Sequence, residues 1–196
     1  SPATGVAFAL GDSGDTFTIP SGATITNSGT ATGFGGGKIL QVVQAKHTTQ
    51  SSQSATSTQS YTDSGLTAQL TTSATDSKVL CMYSVDGAIQ KYTYYTAAGV
   101  GIGLFMDLDS AGYAEKQTSS RYWGAWMVTG EEAGSSSDWG MGNVSGNYLS
   151  PTQSASGTVV DFKVQYKLYN TTGQTCIAYT QWYSDESSMV LMEIGA

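Results

Sequence analysis

The chain has 196 residues, of which 39% are apolar and only 12% charged, and it carries a net charge of −7. The length suits one medium domain with an appendage, and the acidic balance without any basic run argues against a nucleic-acid partner held by phosphate neutralisation. No apolar run approaches the length of a membrane span, so membrane insertion is not expected.

Polarity is carried by hydroxyls and amides, a composition that suits pleated strands and turns better than helices. The opening SPATG has no Met and no charged segment ahead of an apolar run, so no signal peptide is read there and a cut end is expected. Residues 1–37 hold short pieces, GVAFAL, DTFTI and ATITN, divided by Gly, Pro and Asp-Ser-Gly turns. Phe17 and Ile19 alternate with Thr16 and Thr18, and Ile25 with Thr24 and Thr26, a period of two that predicts strands with one buried face. Strands this short need a neighbour, either another coil or the same segment in further copies of the chain. GFGGG at 33–37 reads as a joint. The expected division is 1–37, a β-coil shaft or attachment segment with its Gly-rich joint, and 38–196, the main domain.

At Lys38 the pattern changes, and KILQVVQAKHT predicts a strong strand. The polar stretch TTQSSQSATSTQSYTDSG at 48–65 reads as a long loop or an exposed edge strand. Residues 66–108 predict three strands, with Asp86-Gly87 as a hairpin turn, and DSAG at 109–112 closes the next turn. YWGAWMVTG at 122–130 predicts a short aromatic strand, and 131–157 reads as loop-rich. TVVDFKVQYKLYN alternates cleanly, Val160, Phe162, Val164 and Tyr166 on one face, Asp161, Lys163, Gln165 and Lys167 on the other. TTGQ turns the chain into TCIAYTQWYS, and the final strand SSMVLMEIGA is apolar enough to be buried on both faces. About eight strands and no helix predict an all-β fold: an antiparallel β-sandwich, jelly-roll-like, preceded by the short shaft.

Catalytic constellations are absent from the sequence, so no enzyme and no cofactor are expected. His47 is the sole histidine and stands at a strand end without a nucleophile elbow. GFGGGK lacks the Lys-Ser/Thr ending of a phosphate loop, and no Cys/His cluster has metal spacing. Asp107 and Asp109 are weak metal candidates and a conceivable acid pair, but a turn-flanking pair reads first as solvated; Glu131 and Glu132 read the same way. Cys81 and Cys176 each sit in an apolar run and read as buried thiols, a disulfide in oxidising surroundings being the alternative. Ligand binding points to large aromatics in a polar domain: Trp123, Trp126, Trp182 and Tyr183, and above all Trp139 and Tyr148, since Trp139 falls in the Gly/Ser stretch SSSDWGMGN where a core role is least expected.

Three segments carry a resemblance: GGGKILQVVQA, TDSGLTAQLTTSATDSKVLCMYSV and SSMVLMEIGA. They resemble the distal domain of tailed-bacteriophage virion fibres and spikes, and FTIPSGATITNSGTATGF ahead of them is similar to the β-coil upstream of such tips. The matching pieces cover about half of the chain, and residues 99–157 depart from the family pattern. The resemblance implies a virion location, a homotrimer in which the sparse apolar residues of 16–26 meet at a three-fold axis, contact with other virion proteins through the N-terminal segment, and attachment to a host surface glycan or protein. It leaves tail fibre, head fibre and capsid spike open. The alternative from the residues alone is a monomeric carbohydrate-binding module of a secreted protein.

Overall fold

The computed structural model describes residues 38–91, 98–117, 138–171 and 173–196, with Thr18 and Pro20 ahead of them. The chain divides between Phe34 and Gly35 into two units. The expected shaft, the strand predicted at 122–130 with Trp123 and Trp126, and the Glu131-Glu132 pair lie outside the described residues.

Period-two alternation dominates the second unit and decides its elements. Among the described residues there are ten strands: β1 (Ile39–His47), β2 (Ser51–Ala55), β3 (Thr62–Thr71), β4 (Lys78–Lys91), β5 (Ala98–Leu108), β6 (Ala114–Gln117), β7 (Asp138–Leu149), β8 (Val159–Asn170), β9 (Cys176–Thr180) and β10 (Ser187–Ile194). All named strand pairs are antiparallel. One sheet runs β3-β8-β5-β6. In the other, β4 is long enough to take β10 and then β9 along one side and β7 along the whole of the other, while β1 and β2 line the outside of β10 and β9.

The interior lies between these two sheets. It takes Leu66, Ala68 and Leu70 from β3, Val79, Cys81 and Val85 from β4, Val100, Ile102, Leu104 and Met106 from β5, the inward side of β8, and Met189 and Leu191 from β10. Each such side chain contributes roughly 1.5–3 kcal/mol by removal from water. The fold is therefore an antiparallel β-sandwich, and the β8 alternation has the two faces read from its sequence. Cys81 and Cys176 are both buried thiols, and burial pushes the Cys81 thiol up to about 12.

Three expectations change. Asp86-Gly87 is no hairpin turn: β4 continues straight through it, with Asp86 opposite Asn143 and Gly87 opposite both Gly142 and Thr180. A turn signal yields here because strands on both sides supply backbone partners, and Asn143 Nδ2 donates to Asp86 Oδ1 at 2.9 Å. The stretch 131–157 is not loop throughout, since 138–149 form β7, paired with β4 over its full length. Its many glycines fit a close approach: at Gly146 a Cβ would fall 2.6 Å from the Tyr83 hydroxyl, whose ring occupies that space. β10 is buried on one face, not two; Met189, Leu191 and Glu193 point inward, while Val190, Met192 and Ile194 are half-exposed on the other side. The polar stretch at 48–65 resolves towards the edge-strand reading. The all-polar β2 is held because its backbone pairs with β9 and Gln53 bridges the sheets, donating to Ser60 O and Thr62 Oγ1 and accepting from Leu168 N at 2.7 Å.

Glu193 organises the end of β10. Its carboxylate is buried and accepts from Gln41 Nε2 at 2.7 Å, Ser73 N at 2.9 Å, Ser73 Oγ at 2.8 Å and Ala74 N at 3.1 Å. Burial alone would raise this carboxyl, but the hydrogen bonds from Gln41 and Ser73 bring it down to about 2. The loop between β3 and β4 is thus fastened to the last strand.

Candidate functional site

The outward face of the β3-β8-β5-β6 sheet is built from an unusual alternation in β5. In AGVGIGLFM the inward positions are Ala98, Val100, Ile102, Leu104 and Met106, and the outward ones begin with three glycines. A sheet surface without side chains lets rings and stems lie flat upon it. Over Gly103 sit the rings of Tyr61 and Phe105, each about 3.0 Å from where a Cβ would stand, and over Gly101 lies the aliphatic stem of Lys167. Tyr61 and Phe105 meet edge to face with centroids 5.4 Å apart, and Lys167 Nζ caps the Tyr61 ring at 4.5 Å.

Beside this floor the outward residues of β8 meet β3 and the approach to β6. Lys163 Nζ stands 4.2 Å above the Tyr113 ring and 3.0 Å from Asp63 Oδ1. Gln165 Nε2 donates to the same Asp63 carboxylate at 2.6 Å. Tyr113, 39% exposed, forms one wall of an open cleft of about 230 Å³, with Asp63, Thr67 and Lys163 as its polar lining and Leu66 and Val164 beneath. Burial and a hydrogen bond to Asp161, with the charges of Asp161 and Asp107, hold the Tyr113 hydroxyl protonated well above its ordinary range. Burial and the charge of Glu115 push the Tyr61 hydroxyl up to about 12. Asp63 is lowered: burial works against ionisation, but Gln165 and Lys163 outweigh it. Both phenols therefore stay neutral and Asp63 stays ionised at neutral pH.

This arrangement offers one exposed aromatic plate rimmed by an ammonium, a carboxylate, an amide and a hydroxyl, each already oriented by a neighbour. Such a surface can stack on an apolar ring face and exchange hydrogen bonds with hydroxyls or amides. It holds no nucleophile–base pair of the kind acyl transfer requires. Among the described residues no group of three or more His, Cys, Asp and Glu is arranged to hold a metal.

The residues singled out in the sequence lie elsewhere. Trp139 is in β7 opposite Gln90, in a strand rather than a loop. Tyr148, at the other end of β7, packs half-buried against the core, its ring edge to face with Phe162 at 6.3 Å. Asp107 and Asp109 brace the β5–β6 turn: Asp107 Oδ1 accepts from Gly112 N at 2.9 Å and Asp109 Oδ1 from Val159 N at 2.8 Å. His47 ends β1 with its ring against Gly65. Tyr183 is 82% exposed on a turn at Trp182–Ser184, where Trp182 stacks near Tyr179 at 4.2 Å. The structure does not bring Trp139, Tyr148 and the two aspartates into one site. Tyr61, Phe105, Tyr113 and Lys163, which the sequence reading did not single out as a site, come together on this face, and the Gly-x-Gly-x-Gly run at 99–103 was the signal for rings lying on a bare sheet.

No protein-family model matches the chain, and no curated protein matches it. Among solved structures, a chain from the structure of infectious bursal disease virus Gx strain aligns with 80% of this chain and 37% of its own length, at 13% identity and a TM-score of 0.34. The aligned part is thus little more than a third of that chain, and a TM-score of this size does not define a common fold.

Proposed function

We propose that this protein is a virion structural component, a fibre or spike subunit that assembles as a homotrimer and uses its sandwich for attachment. The observation that carries the reading is where the resembling segments fall. The opening KILQVVQAKH and the closing SSMVLMEI are partner strands, β1 and β10, in continuous register from Gln41 opposite Glu193 to His47 opposite Ser187. The middle segment supplies β3 and most of the β4 stretch that pairs with β10. Pieces that are far apart in sequence thus pack into one framework, as a shared tip domain requires, while the departing region 99–157 supplies β5, β6 and β7 and carries Tyr113 of the cleft.

The cleft beside Tyr113 is the attachment surface in this reading, and its chemistry fits a saccharide of the host surface. The protein then works by binding, not by catalysis. The N-terminal segment joins it to other virion proteins. The same aromatic cleft would also serve a monomeric carbohydrate-binding module, which differs in being a single chain in solution. Immunogold labelling of phage particles that carry this chain, with an antibody to residues 38–196, tests the virion assignment. Gold on particle projections is expected; gold confined to soluble material overturns it.

A further inference from the structure

The outer face of the sheet that holds β10 is apolar at one end. Register places Val42, Met192, Leu80 and Leu149 in one row across β1, β10, β4 and β7. The next row is Gln44, Val190, Met82 and Asn147, and on the other side Ile39 stands opposite Ile194, itself opposite Lys78. Val42 is 55% exposed, Leu149 47% and Ile39 59%. With Leu40 and Met82 these side chains leave roughly 400 Å² of apolar surface in water, within the range of the largest patch on a single chain, which is often functional. Further along the same face the rows turn polar, where Ser84, Asn143 and Ser145 bond to one another.

We infer that this apolar end is where copies of the chain meet. Three observations choose a copy of the same chain as the occupant. The sequence of β10 has the composition of a strand buried on both faces, yet a single chain buries only one. The rows contain no acidic side chain and one lysine, Lys78, on a chain whose net charge is −7. Two acidic copies therefore approach with least repulsion here. Three such faces can turn towards one three-fold axis, each meeting its two neighbours through different edges, and with Gln44, Asn147 and Lys78 at its rim the face is on the order of the 800 Å² that one partner of a specific interface contributes. This inference rests on the assembly part of the proposed function and adds the surface.

The test uses the full chain at micromolar concentration. Val42→Cys and, as control, Gln69→Cys on the exposed outer side of β3 are reacted with a bulky maleimide, while native mass is measured on the same samples. The native thiols Cys81 and Cys176 are fully buried and stay silent. The expected result is an oligomer in which the Val42→Cys variant reacts at least tenfold more slowly than the Gln69→Cys variant. An oligomer in which both react alike overturns this interface and leaves the assembly reading standing. A monomer overturns both, and slow reaction of the Val42→Cys variant within a monomer would assign the face to the chain's own first residues.

Discussion

The two outer faces of the sandwich rest on the same interior and differ in every other respect. Over β3, β8, β5 and β6 the outward positions carry charged and polar groups that neighbours hold in place: Lys163 with Asp63 and Tyr113, Lys167 with Tyr61, Gln165 with Asp63. Rings are present there too, Tyr61 and Phe105 packed edge to face over Gly103 and Tyr113 under the Lys163 ammonium. Over β1, β10, β4 and β7 the outward rows at one end carry Val, Leu, Met and Ile with no acidic group among them. The first face is finished for contact with water and polar ligands; the second leaves apolar area exposed. Identical alternation on the inside thus says nothing about what the outside is for, and the outward residues have to be read as rows across strands.

Removing β10 should have the largest effect, because that strand serves both the interior and the apolar rows. Deleting residues 189–196 takes away Met189 and Leu191, each worth roughly 1.5–3 kcal/mol by burial, and the backbone partners of both β1 and β4. Against a domain stability of roughly 5–15 kcal/mol, the expected product is insoluble or unfolded. A soluble truncation with a cooperative melt would show that β10 is peripheral.

A smaller cut is Glu193→Ala. It strips five hydrogen bonds from the carboxylate and leaves the Ser73 and Ala74 amides without their acceptor, a loss on the order of 3 kcal/mol. The wild-type carboxyl, folded, titrates at about 2 against an ordinary 4.5. Its folded value is the lower one, so its contribution is complete above pH 4.5 and disappears as pH falls towards 2. Urea melts from about pH 6 to about pH 2 should lose less stability in Glu193→Gln than in the wild type. Parallel curves would mean the carboxylate does not anchor the loop.

On the other face, Gly103→Ala should displace the rings of Tyr61 and Phe105 and cost about 1–2 kcal/mol, as overfilled sites do. A thermal melt equal to wild type would show that the rings do not depend on the bare strand. Tyr113→Ala should change stability least, by about 1 kcal/mol for the lost hydrogen bond and the ring under Lys163, while weakening saccharide binding on a glycan panel by about 1–3 kcal/mol if its ring is a contact hot spot. Trp139→Ala, measured in parallel, sharpens the result: binding lost there and kept in Tyr113→Ala would move the site to β7.

Strand alternation made much of the fold legible. β8 stands where its apolar period put it, because one buried face fixes register, and β1 and β10 are strands where their apolar runs predicted them, β10 with one buried face instead of two. Asp86-Gly87 misled because a turn dipeptide inside a strand with partners on both sides obeys the sheet. Residues 138–149 misled because glycine marks loops in general but here makes room for Tyr83. The outer face of this sheet was half legible: β8 displayed Asp161, Lys163, Gln165 and Lys167 on one side, whereas Tyr61 and Tyr113 reach that face only through pairings of β3, β5 and β6 that no local pattern specifies.

As proposed, this sandwich works as one of three in a virion projection. Native mass spectrometry of the full chain tests it most directly. With a chain mass of 20.4 kDa, three copies (3 × 20.4) give about 61 kDa, the mass expected for a closed ring of one repeated contact. A single species at 20.4 kDa at micromolar concentration would contradict the account and favour the monomeric binding module.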